Sequence, residues 1–282
     1  MNIFYVGKVC CFVLKGVTLH REISEIEMSK YKNILYGLLM FLVIAACCFL
    51  YFVCENRCCV EEQSYIAHAG GEIDGYTYTN SKEAVEHSIE CGMKYIELDL
   101  LLTSDSSLVA AHSWADYNKM VGVENLDSIP TLEQFKQSKL LGKYTPLTFA
   151  DIDSILCVNP DIVLVTDKMS NPAIIDACLG KYKERVIVEC MTDEDYYFYM
   201  DHGYKMSMYR NGKYLISQFI QSVVRRLQGK KDRYSACVIY KGDQDKIHCD
   251  CKFVYTCRDR HEADSIFSQY NDVKFVYIDN VE

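Results

Sequence analysis

The chain has 282 residues, of which 50% are hydrophobic, and it carries a formal net charge of −9. This length accommodates one large α/β domain of about 200–250 residues. The negative charge argues against a nucleic-acid partner, because contact with a phosphate backbone requires a basic surface. An acidic protein that handles a phosphate needs local positive charge, supplied by a metal ion or by a few well-placed Lys and Arg side chains.

An apolar segment near the N-terminus is the first predicted element. The 21 residues from Ile34 to Cys54 contain no charged side chain. A helix of this length rises about 1.5 Å per residue and crosses a bilayer core of about 30 Å. Lys30 and Lys32 precede the segment, and this positive flank predicts a cytoplasmic N-terminus and an extracytoplasmic C-terminal domain. We therefore predict a single-pass membrane protein with an N-terminal cytoplasmic segment over residues 1–32, a transmembrane anchor over 33–54, a linker over 55–63 and a globular domain over 64–282.

A second interpretation of the same segment is a cleaved lipoprotein signal. If Met28 is the start, a short basic region leads to Ile44-Ala45-Ala46-Cys47, which resembles a bacterial lipoprotein cleavage site with Cys47 as the lipidated residue. The apolar run continues beyond Cys47 to Val53, which a processed lipoprotein does not need. The uncleaved anchor is therefore favoured. Both interpretations tether the domain to the membrane outside the cytoplasm.

The globular region alternates short β-like runs with helical or polar stretches, a pattern typical of parallel βα units. We predict an α/β fold, specifically a TIM (β/α)8 barrel preceded by the transmembrane helix. The clearest helix is Ser81–Cys91, where Ser81 suits the N-cap and Gly92 ends the helix. One strand too many is present for a barrel, and we expect Lys205–Tyr209 or Ala236–Tyr240 to be peripheral. The candidate strands are Tyr65–His68, Tyr95–Leu101, Leu108–His112, Ile162–Asp167, Val186–Cys190, Lys205–Tyr209, Ala236–Tyr240, Phe253–Cys257 and Val273–Ile278.

The chain contains 15 cysteines, many for its length. Those from Cys91 onward are scattered singly, and none forms a CxxC pair of the kind that binds zinc. Most of these lie in apolar stretches, where a cysteine behaves as a small hydrophobic residue. We expect mostly buried thiols with one or two disulfides.

Polar side chains stand at or near the C-terminal ends of the first four candidate strands. In a TIM barrel this edge forms the active site, because strand ends and βα loops converge there. The candidate functional residues are His68 on the first strand, Glu97 and Asp99 on the second, His112 on the third, and Asp167 and Lys168 on the fourth.

The second strand predicts a metal site. Glu97 and Asp99 are two residues apart and point to the same face of the strand. Two adjacent carboxylates raise each other's pKa, a cost that a divalent cation removes. Oxygen ligands suit Mg²⁺ or Ca²⁺, and Asp167, expected about two places round the barrel, supplies a third ligand. The alternative is that both acids face solvent on an edge strand, which leaves Ile96 and Leu98 alone on the core face.

The two histidines predict acid–base chemistry when taken together. A single histidine at a strand end is more often a packed structural residue. His68 and His112 flank the carboxylate strand on both sides, so that across a metal-bound phosphate one imidazole can act as general base and the other as general acid.

These residues form a pattern that resembles the glycerophosphodiester phosphodiesterase family, within the wider group of phosphatidylinositol-phospholipase-C-like barrels. The pattern is most specific between Ile66 and Ser113 and continues more weakly to Asp279, so it covers nearly all of the globular domain. Its parts are His68-Ala69-Gly70, Gly92 to Leu100 with Glu97-Leu98-Asp99, Thr103-Ser104-Asp105, Leu108 to His112, Pro130-Thr131-Leu132, Thr166-Asp167-Lys168, Tyr255-Thr256 and Ile278-Asp279.

The resemblance implies a metal-dependent hydrolase that cleaves a phosphodiester into an alcohol and a phosphomonoester, with Ca²⁺ or Mg²⁺ as cofactor. The expected substrate is a phosphodiester small molecule or a lipid head group. By resemblance, the residue roles are His68 and His112 as the acid–base pair, Glu97 and Asp99 as metal ligands with Asp167 at a third position that the family usually fills with Glu, and Lys168, Asn80 and Tyr255 as substrate contacts.

Departures from the family pattern keep two other functions open. The family normally has Arg after the first histidine, whereas this chain has Ala69 and so lacks a bidentate phosphate clamp. The loop Gly70–Tyr78 is also unusual and is a candidate lid that recognises a polar head group or a sugar. The alternatives are a phospholipase or phosphotransferase acting on a membrane or surface-polymer phosphodiester, and an inactive barrel that binds a phosphorylated glycan.

Overall fold

The computed structural model describes residues 30–49, 62–210, 224–225, 228, 236–247, 249 and 251–282. The chain divides into two compact units, Met1–Glu55 and Asn56–Glu282. The predicted N-terminal segment before residue 30, the last residues of the predicted anchor and most of the predicted linker lie outside the described residues.

The first unit contains helix α1 (Lys30–Phe49), which covers most of the predicted anchor. Within the part of the chain that the structure describes, it is the one helix with the length and apolar composition of a membrane span. Its large apolar side chains, among them Leu39, Met40 and Phe41, are exposed at the protein surface.

The second unit is built on a sheet that closes on itself. The described strands are β1 (Ser64–Ala67), β2 (Tyr95–Leu102), β3 (Leu108–Ala110), β4 (Val163–Asp167), β5 (Val186–Cys190), β6 (Met206–Arg210), β7 (Ala236–Tyr240), β8 (Cys251–Cys257) and β9 (Val273–Ile278). The strand order β1-β9-β8-β7-β6-β5-β4-β2 is parallel throughout, and β1 also pairs with β2. Eight parallel strands therefore form a closed barrel, as predicted.

The expectation about the extra strand was wrong. β6 and β7 are both barrel strands, and the strand outside the barrel is β3, which pairs antiparallel with the end of β2 at Leu100–Leu102. The connection between β2 and β3 spans only 103–107, where Thr103 Oγ1 accepts a hydrogen bond from the Ser107 N–H at 3.0 Å. A connection this short forces an antiparallel hairpin, because a parallel crossover requires a dozen or more residues. The third candidate strand was therefore wrongly placed in the barrel, although its residues do form a strand.

Each described α-helix of the second unit begins at a polar residue that caps it. The side chain at each of these N-caps accepts a hydrogen bond from a backbone N–H in the first turn, which contributes about 1 kcal/mol per helix. The predicted helix Ser81–Cys91 is confirmed as α2, with Ser81 as its cap. The helices are α2 (Lys82–Glu90), α3 (Trp114–Val121), α4 (Leu132–Gln137), α5 (Phe149–Val158), α6 (Pro172–Leu179), α7 (Asp193–Asp201) and α8 (Arg260–Gln269).

The barrel strands carry two apolar layers. One face packs against the surrounding helices, with Leu98, Leu164 and Val188 in that core. The other face fills the barrel interior with the side chains of Ile66, Tyr95, Val163, Val165, Ile187, Met206, Met208, Ala236, Val238, Cys251, Phe253, Phe275 and Tyr277. Because side chains alternate along a strand, polar residues two positions beyond an interior residue face the barrel axis at its C-terminal end.

Among the described residues, one disulfide joins two cysteines of the second unit. Cys237 on β7 is bonded to Cys249, 12 residues later, so the bond closes the connection between β7 and β8. Cys190, Cys251 and Cys257 are buried. The disulfide agrees with the expectation of one or two. The thiols are less buried than expected, because Cys91 and Cys178 are half-buried and Cys157 is exposed.

Candidate active site

The predicted acidic residues meet at the C-terminal end of the barrel. Glu97 and Asp99 lie in β2 and Asp167 is the last residue of β4. The two strands are direct neighbours, with Asp99 in register with Asp167. The expectation that Asp167 lies about two places round the barrel was therefore wrong, because the strand between them in sequence, β3, is not part of the barrel.

The three carboxylates form a compact buried cluster. One oxygen from each of Glu97, Asp99 and Asp167 lies within 4.8 Å of the others, and each residue is at most 2% exposed. Glu97 Oε2 accepts a hydrogen bond from the Ala69 N–H at 2.7 Å. Its other oxygen, Oε1, is buried and has no hydrogen-bond partner among the described residues. A buried carboxylate oxygen without a partner is costly, which indicates that another group belongs beside it.

The electrostatics of the cluster also favour a cation. Burial raises the pKa of Glu97 well above its usual value, and the neighbouring charges of Asp99, Asp167 and Glu189 raise it further. A hard divalent cation would relieve both effects, and carboxylate oxygens are the ligands that Mg²⁺ and Ca²⁺ prefer. The donor set therefore fits such an ion.

Lys168 lies against the same cluster. Its Nζ is 2.9 Å from Asp167 Oδ2 and 3.5 Å from Asp99 Oδ1. Its backbone is in the left-handed region, with φ of 64°, which is uncommon for a residue other than glycine. The ammonium group predicted to contact phosphate is thus held between two of the three acids, where it offsets part of their negative charge.

His68 follows β1 directly and is 5% exposed. Its Nδ1 lies 2.8 Å from Asp279 Oδ1, just beyond the end of β9. This contact orients the ring and leaves Nε2 as the nitrogen that can exchange a proton with a ligand. Sequence reasoning assigned no role to Asp279, although its position two residues beyond the interior residue Tyr277 was a usable signal.

His112 has the same kind of partner. Because β3 runs back along β2, its end returns to the barrel mouth, where the Ala111 N–H donates to the Asp99 carbonyl at 2.8 Å. His112 Nδ1 is 2.8 Å from Asp116 Oδ2 in the first turn of α3. Hydrogen bonds from Ser113 and His112 hold the pKa of Asp116 below its usual value. Both histidines therefore have an acid at Nδ1, an arrangement that fixes a ring for proton transfer.

Asn80 contacts an acid of the cluster. It is fully buried, its Nδ2 donates to Asp99 Oδ2 at 2.9 Å, and its Oδ1 accepts from the Asp99 N–H at 3.0 Å. The residue predicted to bind substrate is thus in a position to orient Asp99.

Tyr255 connects the cluster to a fourth acid that sequence reasoning missed. Its hydroxyl donates to Glu189 Oε2 at 3.0 Å and lies 3.4 Å from Asp167 Oδ2, while its ring stacks on Tyr277. Glu189 is fully buried near the end of β5. The signal was present in the sequence, because Glu189 follows the interior residue Ile187 by two positions in an otherwise apolar strand.

Solved structures share this architecture. A glycerophosphoryl diester phosphodiesterase from Parabacteroides distasonis is similar at 17% identity and a TM-score of 0.52, covering 80% of this chain and 86% of that one. A phosphodiesterase from Oleispira antarctica, solved in complex with its product sn-glycerol-3-phosphate, is similar at 16% identity and 0.52, covering 77% and 93%. A glycerophosphodiester phosphodiesterase from Agrobacterium tumefaciens is similar at 12% identity and 0.54, covering 78% and 96%. At these identities the likeness establishes the fold.

A closed parallel barrel with a polar site at its C-terminal end defines the class of TIM-barrel enzymes. Residues 73–254 match the model of the glycerophosphoryl diester phosphodiesterase family. The chain belongs to this family of phosphoric diester hydrolases, as the sequence pattern predicted. No curated protein matches the chain.

Proposed function

We propose that the protein hydrolyses a glycerophosphodiester into an alcohol and a phosphomonoester, with two histidines in acid–base roles beside a divalent cation. The observation that carries this proposal is the pairing of each histidine with a carboxylate at Nδ1, next to a buried acidic cluster. Family membership supports the reaction class, and the product complex of the Oleispira antarctica phosphodiesterase supports a small phosphodiester as ligand.

Glu97, Asp99 and Asp167 would hold the cation, either Ca²⁺ or Mg²⁺. When bound, the ion supplies positive charge that neutralises the phosphoryl oxygens. Asn80 orients Asp99, and the Tyr255 hydroxyl orients Glu189 beside Asp167. In this proposal Asn80 and Tyr255 act mainly through the acids, whereas Lys168 is the residue that reaches the phosphate.

His68 and His112 move the protons. Asp279 and Asp116 each accept from Nδ1, which presents Nε2 to the substrate and stabilises the ring when it is charged. One imidazole takes the proton of the attacking water and the other donates a proton to the leaving alkoxide oxygen. Which histidine has which role depends on the orientation of the bound diester.

We further propose that α1 anchors the protein in the membrane and that the barrel domain over residues 64–282 lies on the extracytoplasmic side. The length and composition of α1 support a membrane span, and Lys30 supports a cytoplasmic start. The Cys237–Cys249 disulfide supports an oxidising compartment, because disulfides are rare in the cytosol. Protease treatment of intact cells tests the topology: degradation of the barrel domain is expected, and protection until the membrane is permeabilised would contradict it.

A turnover assay tests the reaction. The full-length chain in detergent micelles is incubated with a panel of glycerophosphodiesters after EDTA treatment, with and without added Ca²⁺ or Mg²⁺. Activity is expected to disappear with EDTA and return with one of the ions. His112→Ala is expected to lower kcat by about 10²–10⁴.

The matched control is His202→Ala. His202 lies beyond the end of α7, where its Nδ1 contacts the Phe198 carbonyl oxygen, and it has no contact with the acidic cluster. Its loss should leave kcat unchanged. Equal kcat for wild type and His112→Ala would contradict the assignment, and so would full activity in the presence of EDTA.

A further inference from the structure

A single aromatic ring lies between the two histidines. The ring centroid of Tyr78 is 4.6 Å from that of His68 and 4.7 Å from that of His112, with interplanar angles of 78° and 63°. Both contacts are edge-to-face arrangements, which are favourable for aromatic rings. One side chain thus touches both groups to which the proposed function assigns proton transfer, although it belongs to the loop that the family pattern does not explain.

The backbone at Tyr78 is in a strained conformation. Its φ is 59°, in the left-handed region that a bulky side chain rarely adopts. Asn80, two residues later, has φ of 47°, in the same region, which asparagine adopts more readily than most residues. Strain of this kind persists only where surrounding contacts enforce it, and it concentrates at functional sites.

The contacts that hold this backbone come from Ala69 and from Asp99 of the acidic cluster. The Asn80 N–H donates to the Ala69 carbonyl at 3.1 Å, and the Asn80 side chain is bonded to Asp99. Thr79 and Ser81 on either side are buried, and Ser81 caps α2. The segment after Tyr78 is therefore tied to the strand that carries Glu97 and Asp99, so its ring is a fixed wall rather than a swinging lid.

We propose that Tyr78 is a positioning residue that sets the spacing of the two imidazoles and forms the side wall of the subsite for the leaving alcohol. One of the two histidines must face the leaving oxygen, so the alcohol has to pass beside this ring. The wall favours small alcohols over bulky ones. This inference rests on the proposed function and identifies which substrates within that class the site accepts.

Three substitutions at Tyr78 distinguish the effect of its ring from the effect of its backbone conformation. Tyr78→Phe keeps the ring and removes the hydroxyl. Tyr78→Ala removes the ring and keeps the unfavourable backbone, whereas Tyr78→Gly removes the ring and relieves the strain, because glycine adopts positive φ without penalty. Tyr182→Ala is the matched control: Tyr182 lies between α6 and β5, and its hydroxyl donates to Asp153 of α5, away from the acidic cluster.

The full-length variants are compared by kcat, KM and melting temperature. Tyr78→Phe and Tyr182→Ala should stay within about threefold of wild-type kcat, while Tyr78→Ala and Tyr78→Gly should both lose about 10–100-fold, as expected when reacting groups are misplaced by about 1 Å. The loss should appear in kcat more than in KM. If Tyr78→Gly regained wild-type kcat, the ring would have no role and the proposal would be overturned. Wild-type kcat in Tyr78→Ala would overturn it as well.

Substrate choice gives a second readout. The ratio of kcat/KM for glycerophosphoinositol over glycerophosphoethanolamine should rise by about threefold or more in Tyr78→Ala and Tyr78→Gly, because the space beside the histidines widens. An unchanged ratio would contradict the proposal that Tyr78 forms the side wall of the alcohol subsite. An inactive wild-type enzyme would overturn the proposed function, and the role of Tyr78 with it, whereas an active wild type with an equally active Tyr78→Ala contradicts the role of Tyr78 alone.

Discussion

The barrel interior and the barrel mouth are made by the same strands but have opposite properties. In the interior, Tyr95, Val165 and Ile187 fill the space with apolar side chains. Two residues further along the same strands stand Glu97, Asp167 and Glu189, all buried. The apolar interior stabilises the fold, whereas the buried acids oppose folding. The two layers are adjacent, because they are separated by only one step of the side-chain alternation along each strand.

Backbone conformation follows the same division. Of the seven described non-glycine residues with positive φ, four lie at or beside the acidic cluster: Ala69, Tyr78, Asn80 and Lys168. None of the described barrel strands contains a non-glycine residue with positive φ. Strain and buried charge are thus concentrated at the mouth, and the apolar interior below supplies the stability that tolerates them.

Removing an interior ring should give the largest effect on stability. Phe253 is fully buried on β8 and stacks on Phe275 with centroids 4.4 Å apart. Phe253→Ala is expected to lower the free energy of unfolding by about 3–5 kcal/mol, measured by urea unfolding in detergent micelles. At low temperature, where the variant remains folded, its kcat should match wild type. A smaller loss of stability with a large loss of kcat would contradict the division between the two layers.

Changing an acid at the mouth should have the converse result. Asp99→Asn keeps the shape of the side chain and the contact with Asn80 but removes one charge from the cluster. We expect kcat to fall by about 10²–10³, in line with the loss of an electrostatic contact to the reacting group. The melting temperature measured in EDTA should not fall, because the substitution relieves repulsion among buried carboxylates. A marked drop in that temperature would show that the acids stabilise the fold.

The smallest expected effect is a dependence of stability on pH in EDTA. The pKa of Glu97 is raised in the folded protein by burial and by its acidic neighbours, relative to an ordinary value of 4.5. The folded state therefore holds this proton more tightly than the unfolded state, so the stabilisation is complete below about pH 4.5 and is lost as the pH rises through the folded-state pKa.

Melting temperatures measured in EDTA from about pH 4.5 upward test this dependence of stability on pH. That of the wild type should fall as the pH rises above about 4.5, and Glu97→Gln should weaken this trend. In samples without EDTA, saturating Ca²⁺ or Mg²⁺ should also weaken this trend, because the ion competes with the proton for the carboxylate oxygens. Identical slopes for wild type and Glu97→Gln would show that another group controls the trend.

Local patterns were the part of the structure that the sequence revealed. Ser81 predicted the start of α2, and the spacing of Glu97 and Asp99 predicted a shared face, because capping and strand alternation depend on neighbouring residues. The barrel followed from the alternation of strands and helices. His112 and Asp116 were also within reach of local reasoning, being four residues apart at the start of a helix.

Pairings over long separations were not visible. Asp279 lies 211 residues from His68 in sequence, and Tyr255 lies 66 residues from Glu189. Whether such residues meet depends on the register and closure of the whole barrel, which no local pattern encodes. The position of Tyr78 has the same cause, since its ring contacts depend on a backbone conformation that its residue type disfavours.

The hairpin formed by β2 and β3 determines the spacing between an acid and a histidine of the site. It carries Asp99 on one arm and His112 beyond the other, and the Ala111 N–H locks the arms together. The number of residues in its turn therefore sets how far the imidazole stands from the acids, independently of the barrel. Adding one residue between Ser104 and Ser106 would shift that separation while every barrel strand kept its neighbours.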